Sequence, residues 1–406
     1  MQTSIHPDLA SLPLVKEAND ILRSCVHCGF CTAVCPTYQL LGDELDGPRG
    51  RIYLIKNLLE DNAIDDKSLV HLDRCLTCRS CETACPSGVA YGRLIDIGRS
   101  LVANVANKVH RPRLSLFISF LIRFIVPRKY LFRPLLAIGQ FFRPVLPGLI
   151  ARHIPLRQKK FAAADISHFS PRSKVLVLQG CVQSAATPNV NVALERVLAT
   201  KGIAVLTLAD EGCCGALEFH LSAHEDGLQR MRDLIDRLLP VLDDVDHIIS
   251  SASGCGVTIK EYPLYLAEDP EYAAKAKLLV AKVVDACEVL KTLDFDCHPI
   301  RVAVHTPCSL QHGQSINGDI EQVLVAAGMT IVANKDAHLC CGSAGTYSIL
   351  QPKLSAQLLT RKLSALQENS PEVIVTANIG CHLHLQTEAG VPVLHWLELI
   401  HQQLKS

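Results

Sequence analysis

The sequence predicts an α+β multidomain protein: a helical N-terminal domain built around two cysteine runs, then two copies of a mostly parallel α/β unit. Three observations carry this. The segments CVHCGFCTAVCP (25–36) and CLTCRSCETACP (75–86) hold four cysteines each in one register, both closed by proline. The second half repeats a strand–cysteine–helix–strand–cysteine order, first from KVLVLQGC (174–181) and again from IRVAVHTPC (300–308). Between the halves, residues 111–160 carry eleven Lys and Arg and no acidic residue. A chain of 406 residues is expected to divide into two or three domains.

Composition narrows the class. With 49% hydrophobic and 20% charged residues, the chain has ample core for globular folding. Forty basic residues balance forty acidic ones, which argues against nucleic acid as a main partner. Residues 1–20 have neither a basic start nor a long apolar stretch, so no export signal is expected and the default address is cytoplasmic. In a reducing compartment the eighteen cysteines read as metal ligands or redox groups rather than disulfides.

Spacing decides between those readings for the N-terminal eight. Each run is C-x2-C-x2-C-x3-C-P, and in bacterial-type ferredoxins such a run gives three thiolates to one 4Fe–4S cluster and the fourth to the other. Tetrahedral zinc has no use for a third cysteine at the same interval. Cys25, Cys28 and Cys31 are therefore expected to share one cluster with Cys85, and Cys75, Cys78 and Cys81 a second with Cys35. The insert between the motifs is helical by period: Ile52, Ile55, Leu58 and Leu59 recur at helical intervals, and DDKSLVHLDRC resembles a short second helix. The first domain (1–110) thus resembles an α-helical ferredoxin with two 4Fe–4S clusters, the type found in succinate dehydrogenase and related reductases. Arg49 and Arg51 read as surface charges of its helix, with tuning of the clusters as the alternative.

In the second half the offsets duplicate. Cys181 and Cys213 are 32 residues apart, as are Cys308 and Cys340; Cys214 to Cys255 is 41 residues and Cys341 to Cys381 is 40. Strand–helix alternation of this kind implies two α/β units, 166–295 and 296–406, whose cysteines fall at the carboxyl ends of strands where such folds collect ligands. Cys287 and Cys297 fit neither pattern and read as buried core. His305, His312, His338, His382 and His384 lie near the cysteines and read as polar residues at strand ends.

These repeats are similar to the paired cysteine-rich, or CCG, domains of the heterodisulfide reductase B-subunit family. Over its full length, and above all in CVHCGFCTAVCPTYQLLGDELDGPRGRIYLIKNLLE, the chain resembles the iron–sulfur subunits of bacterial glycolate oxidase (glycolate dehydrogenase). One departure stands out. The family pattern ends each domain in C-x-x-C, whereas here Ala252 and Asn378 replace the first member of that pair. Cys181, Cys213, Cys214 and Cys255, then Cys308, Cys340, Cys341 and Cys381, remain. Four thiolates suffice for an ordinary cluster; they equally suit redox thiols or a relic of the fold, and the sequence leaves these open.

The resemblance implies an electron-transfer subunit of a multi-subunit glycolate dehydrogenase, without catalytic residues of its own. An FAD-containing partner subunit would oxidise the substrate and this chain would pass electrons toward a membrane acceptor such as quinone. The absence of a G-x-G-x-x-G after a strand, and of a phosphate loop, agrees with flavin on the partner only. Equivalent subunits of lactate or glycerol-3-phosphate dehydrogenases, or a thiol–disulfide enzyme of the heterodisulfide reductase kind, are the alternatives. The connector (111–165) mixes Arg and Lys with phenylalanine, six of the chain's eleven falling within 111–160, and its prolines cut it into pieces too short to span a bilayer. It fits an amphipathic element on the cytoplasmic face of the inner membrane, or docking helices for a partner.

Overall fold

The computed structural model describes residues 1–63, 65–105, 113–159, 161 and 172–405. The N-terminal part is all helix. Helices Pro13–Ser24, Pro48–Asp61, Asp66–Asp73 and Tyr91–Val105 surround a core in which Leu22, Ile55, Leu59, Leu72, Leu94 and Ile95 are fully buried. The period read from the insert is the buried face: Ile52, Ile55, Leu58 and Leu59 all enter this core. Pro48 opens that helix where its missing N–H costs nothing, and the Asp65 carboxylate caps the next by accepting from Ser68 N at 2.7 Å. Gly50 is forced by proximity, because a Cβ there would lie 2.1 Å from the Glu44 carbonyl oxygen.

The two cysteine loops share one backbone device. His27 and Gly29 in the first loop, and Thr77 and Arg79 in the second, have positive φ at the same two offsets from the leading cysteine. This left-handed turn coils the loop and turns successive cysteines toward one point.

Two four-stranded parallel sheets make up the second half. In the first repeat β1 (Ser173–Leu178), β2 (Ile203–Leu206), β3 (His247–Ser250) and β4 (Val283–Asp285) lie in the order β2-β1-β3-β4. In the second, β5 (Arg301–His305), β6 (Thr330–Ile331), β7 (Val373–Thr376) and β8 (Val393–His395) lie in the order β6-β5-β7-β8. The strands alternate between two cores. Val175, Val177, Val302 and Val304 enter one core common to both repeats, with Phe295, Cys287, Cys297 and the fully buried Trp396. Leu176 and Leu178 face a separate outer core with Leu234 and Ile235, and Ala303 faces its own with Leu363 and Ile374. The junction expected at 295/296 therefore falls inside shared core, while those at 110/111 and 165/166 lie outside the described residues.

The connector forms helices Arg113–Ile125 and Lys129–Phe142, the latter with Pro134 inside it. Ion pairs tie it to both repeats: Arg123 to Asp226 at 3.4 Å, Lys129 to Asp210 at 3.5 Å and Arg152 to Glu388 at 3.5 Å. No helix of the described residues is long and apolar enough to cross a membrane.

Candidate iron–sulfur centres

All eighteen cysteines are free thiols, and sixteen of them, the full set singled out by spacing, fall into four groups. Cys25, Cys28, Cys31 and Cys85 line one cavity, joined by Cys81, Arg49 and Tyr91. Cys28 is the exposed member. Cys75, Cys78, Cys81 and Cys35 gather at a second point, deeper in the protein. The fourth cysteine of each run thus stands with the first three of the other. Cys35 leads into helix Pro36–Leu41 and its sulfur meets Thr37 Oγ1 at 3.3 Å, which fixes its direction.

The donor chemistry fits iron–sulfur ligation. Burial pushes the Cys78 and Cys81 thiols well above the ordinary thiol range, with neighbouring sulfurs adding to it. Such crowded thiols ionise when a cationic centre replaces their protons. The surroundings also supply positive charge. Arg51, 1% exposed, donates to Thr37 Oγ1 at 3.1 and 3.2 Å and to the His71 carbonyl at 2.7 Å. Buried Asp46 holds it, along with Arg74 at 2.9 Å and His71 at 3.1 Å. Arg99 donates to the carbonyls of Leu72 and Cys75 at 2.8 and 2.7 Å. The surface reading therefore fails for Arg51: its helix face turns inward because Asp46 and the 44–46 turn pack over it. Arg49, paired with Glu44 at 2.6 Å, is the half-exposed one. Asp46 and Arg99 escaped the sequence reading, since nothing in their spacing marks a buried charge.

In the first repeat Cys213 donates to the Cys181 sulfur at 3.6 Å, and Cys214 continues the line to Cys255. The second repeat copies it, with thiol hydrogen bonds linking Cys308 to Cys340, Cys340 to Cys341 and Cys341 to Cys381. Hydrogen bonding to Cys340, then burial, pushes Cys308 far up. The replaced positions differ: Asn378 Nδ2 donates to the Cys381 sulfur at 3.7 Å and its Oδ1 accepts from Gly254 N at 3.2 Å, across the repeat boundary, while Ala252 is apolar and buried.

Four of the five histidines near these cysteines have ordinary places. His312 meets Thr83 at 2.9 Å and the His338 carbonyl at 3.1 Å; His382 meets the Val393 carbonyl and His384 the Ser355 hydroxyl, both at 3.1 Å; His338 is only half-buried. His305 is different, 1% exposed and with neither ring nitrogen hydrogen-bonded among the described residues.

The second repeat also adjoins the ferredoxin-like part. Cys78, Cys308 and Cys340 share one apolar cluster with Leu76 and Tyr347. The first repeat meets that part through charge instead: Arg79 pairs with Glu261, Nη2 to Oε2 at 3.0 Å.

Fold and site together define an iron–sulfur electron carrier: a two-centre helical domain joined to a duplicated cysteine-rich unit. Residues 21–89 match the family described as 4Fe-4S dicluster domain, and residues 175–260 and 302–386 each match the cysteine-rich domain family. The chain is 46% identical to the glycolate oxidase iron-sulfur subunit of Escherichia coli K12 over all of both chains. It is 30% identical to a probable glycolate oxidase iron-sulfur subunit of Bacillus subtilis, over 90% of this chain and 88% of that one. A lactate utilization protein A from Bacillus velezensis is 24% identical over 57% of this chain and all of its own length. The chain belongs to the family of glycolate oxidase iron–sulfur subunits. Its cofactors are iron–sulfur clusters and its role is electron transfer.

Proposed function

We propose that this chain carries electrons from an FAD-bearing, glycolate-oxidising subunit to a membrane acceptor such as quinone. The observation that supports it is the pair of four-thiol groups, one reaching the surface at Cys28 and the other packed against the second repeat. Cys25, Cys28, Cys31 and Cys85 would hold one cluster; Cys75, Cys78, Cys81 and Cys35 the other. Bound there, 4Fe–4S clusters accept and release one electron at a time, which lets a two-electron flavin feed a carrier. The polypeptide keeps water off the second group through Leu76, Tyr347 and Leu354, and Arg51 and Arg99 offset the negative charge that gathers there. Glycolate, rather than lactate or glycerol 3-phosphate, is favoured by the two relatives that cover most of the chain.

The test is Cys28→Ser in the complex isolated anaerobically from its host's membranes. Glycolate should still reduce the partner's flavin, while reduction of quinone or dye falls at least tenfold. Undiminished acceptor reduction would sink the relay reading, and turnover with lactate or glycerol 3-phosphate but not glycolate would move the substrate.

The connector supports a peripheral membrane position. Its helices leave Phe117, Phe120, Phe124, Ile138 and Phe141 exposed beside Arg and Lys, with no acid in residues 111–160 to repel anionic lipid. Replacing Phe117, Phe120 and Phe141 together by Ser should reduce co-sedimentation with anionic vesicles several-fold. Unchanged lipid binding, with loss of the flavin subunit instead, would assign the surface to the partner.

A further inference from the structure

At the carboxyl end of β5 the second repeat buries an imidazole that no other described residue hydrogen-bonds. His305 is 1% exposed, and both Nδ1 and Nε2 lack hydrogen-bond partners among the described residues. An unpaired buried ring nitrogen is costly, so a fold keeps one where something absent from the polypeptide completes it. The nearest candidates are sulfurs: a ring nitrogen of His305 and the Sγ atoms of Cys341 and Cys381 all lie within 4.8 Å of one another. Cys340 and Cys308 continue the line of thiols from Cys341.

We propose that His305 is a ligand of an iron–sulfur centre in the second repeat, completing a five-donor set with Cys308, Cys340, Cys341 and Cys381. His305 supplies a fifth donor where Asn378 has removed a fifth cysteine from the loop after β7. Zinc would take four of these donors and strand the rest, whereas an iron–sulfur cluster uses several thiolates and accepts imidazole in place of one. Lys362, 2% exposed and anchored on the carbonyls of Asp336 and Ala337 at 2.9 and 3.1 Å, places a cation beside Cys340 and Cys341 to offset thiolate charge. The site also lies next to the dicluster region, through the shared packing of Cys78, Cys308 and Cys340. The first repeat lacks the equipment: 127 residues separate Cys181 from Cys308 and Cys213 from Cys340, and the same offset sets Leu178 against His305. In the helix that follows, Gly227 O packs on Gly215 as Ser355 O packs on Gly342, a register that sets Leu234 against Lys362.

The experiment uses the full chain, isolated anaerobically, and needs neither flavin partner nor turnover, so it stands apart from the relay test. Iron and labile sulfide should count above the roughly eight expected for two clusters, at about twelve. His305→Ala should lose about four irons. In chain labelled with 15N-histidine, pulsed electron paramagnetic resonance of the reduced protein should detect nitrogen coupled to one cluster. His305→Cys should retain the iron, abolish that coupling and lower the potential of that centre, since imidazole in place of thiolate raises it. Retained iron and an unaltered spectrum in His305→Ala would overturn the assignment. So would about eight irons in the parent chain, or zinc in place of iron at the site.

Discussion

The two cysteine-rich repeats share a strand order, a cysteine spacing and a line of hydrogen-bonded thiols, yet their surroundings differ. At matching positions the first repeat buries Leu178 and Leu234 and the second buries His305 and Lys362. The first also buries Glu218 beside Cys181 and Cys213, where added negative charge disfavours further thiolates. Among the described residues, only the second packs its sulfurs against the dicluster region. Duplication supplied a common scaffold, and a few side chains at strand ends then determine which copy is fitted to hold metal.

The sharpest way to break this comparison is to remove the last cysteine of each repeat. Cys381→Ser should cost about four irons per chain, and Cys255→Ser none, as read by iron and sulfide analysis. Equal losses would mean that the copies are equivalent after all.

A smaller effect separates the repeats by pH. The helices after β4 and β8 are capped alike, by Asp285 with Glu288 and by His395 with Glu398. Burial pushes Asp285 up to about 6, and burial drives His395 down to about 3. The signs are opposite. Stability linked to Asp285 is present below its ordinary value near 3.8 and is lost as pH rises through 6. Stability linked to His395 is present above 6.5 and is lost as pH falls toward 3. At about 1.4 kcal/mol per pKa unit, the Asp285 limb is on the order of 3 kcal/mol and the His395 limb on the order of 5 kcal/mol. Melting temperatures between pH 3 and 7 should therefore lose their decline between about 4 and 6 in Asp285→Asn and their rise between about 3 and 6.5 in His395→Gln. Parallel curves for parent and variants would remove this distinction.

The smallest expected effect is that of Lys362→Met. Two carbonyls lose their donor, at a cost of about 1–2 kcal/mol, and the thiols of the second repeat lose a neighbouring cation. A several-fold faster loss of iron to a chelator is expected, with Lys362→Arg restoring part of the difference. The matching change in the first repeat, Leu234→Met, should leave the chelation rate unchanged.

Much of this protein was set by order and spacing along the chain. The two C-x2-C-x2-C-x3-C-P runs carry their own loop geometry, because the turns at residues 27 and 29, and 77 and 79, lie between the cysteines they orient. The buried face of helix Pro48–Asp61 follows from period alone, and parallel sheets with cysteines after the strands follow from alternation. What only tertiary structure decided is which residues meet across distant segments. Arg51 and Arg49 are two positions apart in one helix, and only the packing of the 44–46 turn and His71 makes the first a buried cation and the second half-exposed. In the sequence His305 reads like the other histidines near the cysteines; it lacks a hydrogen-bond partner among the described residues because the fold sets it within reach of the Cys341 and Cys381 sulfurs. Period and spacing are properties of a single segment, whereas the fate of a lone polar group depends on what every surrounding element brings to it.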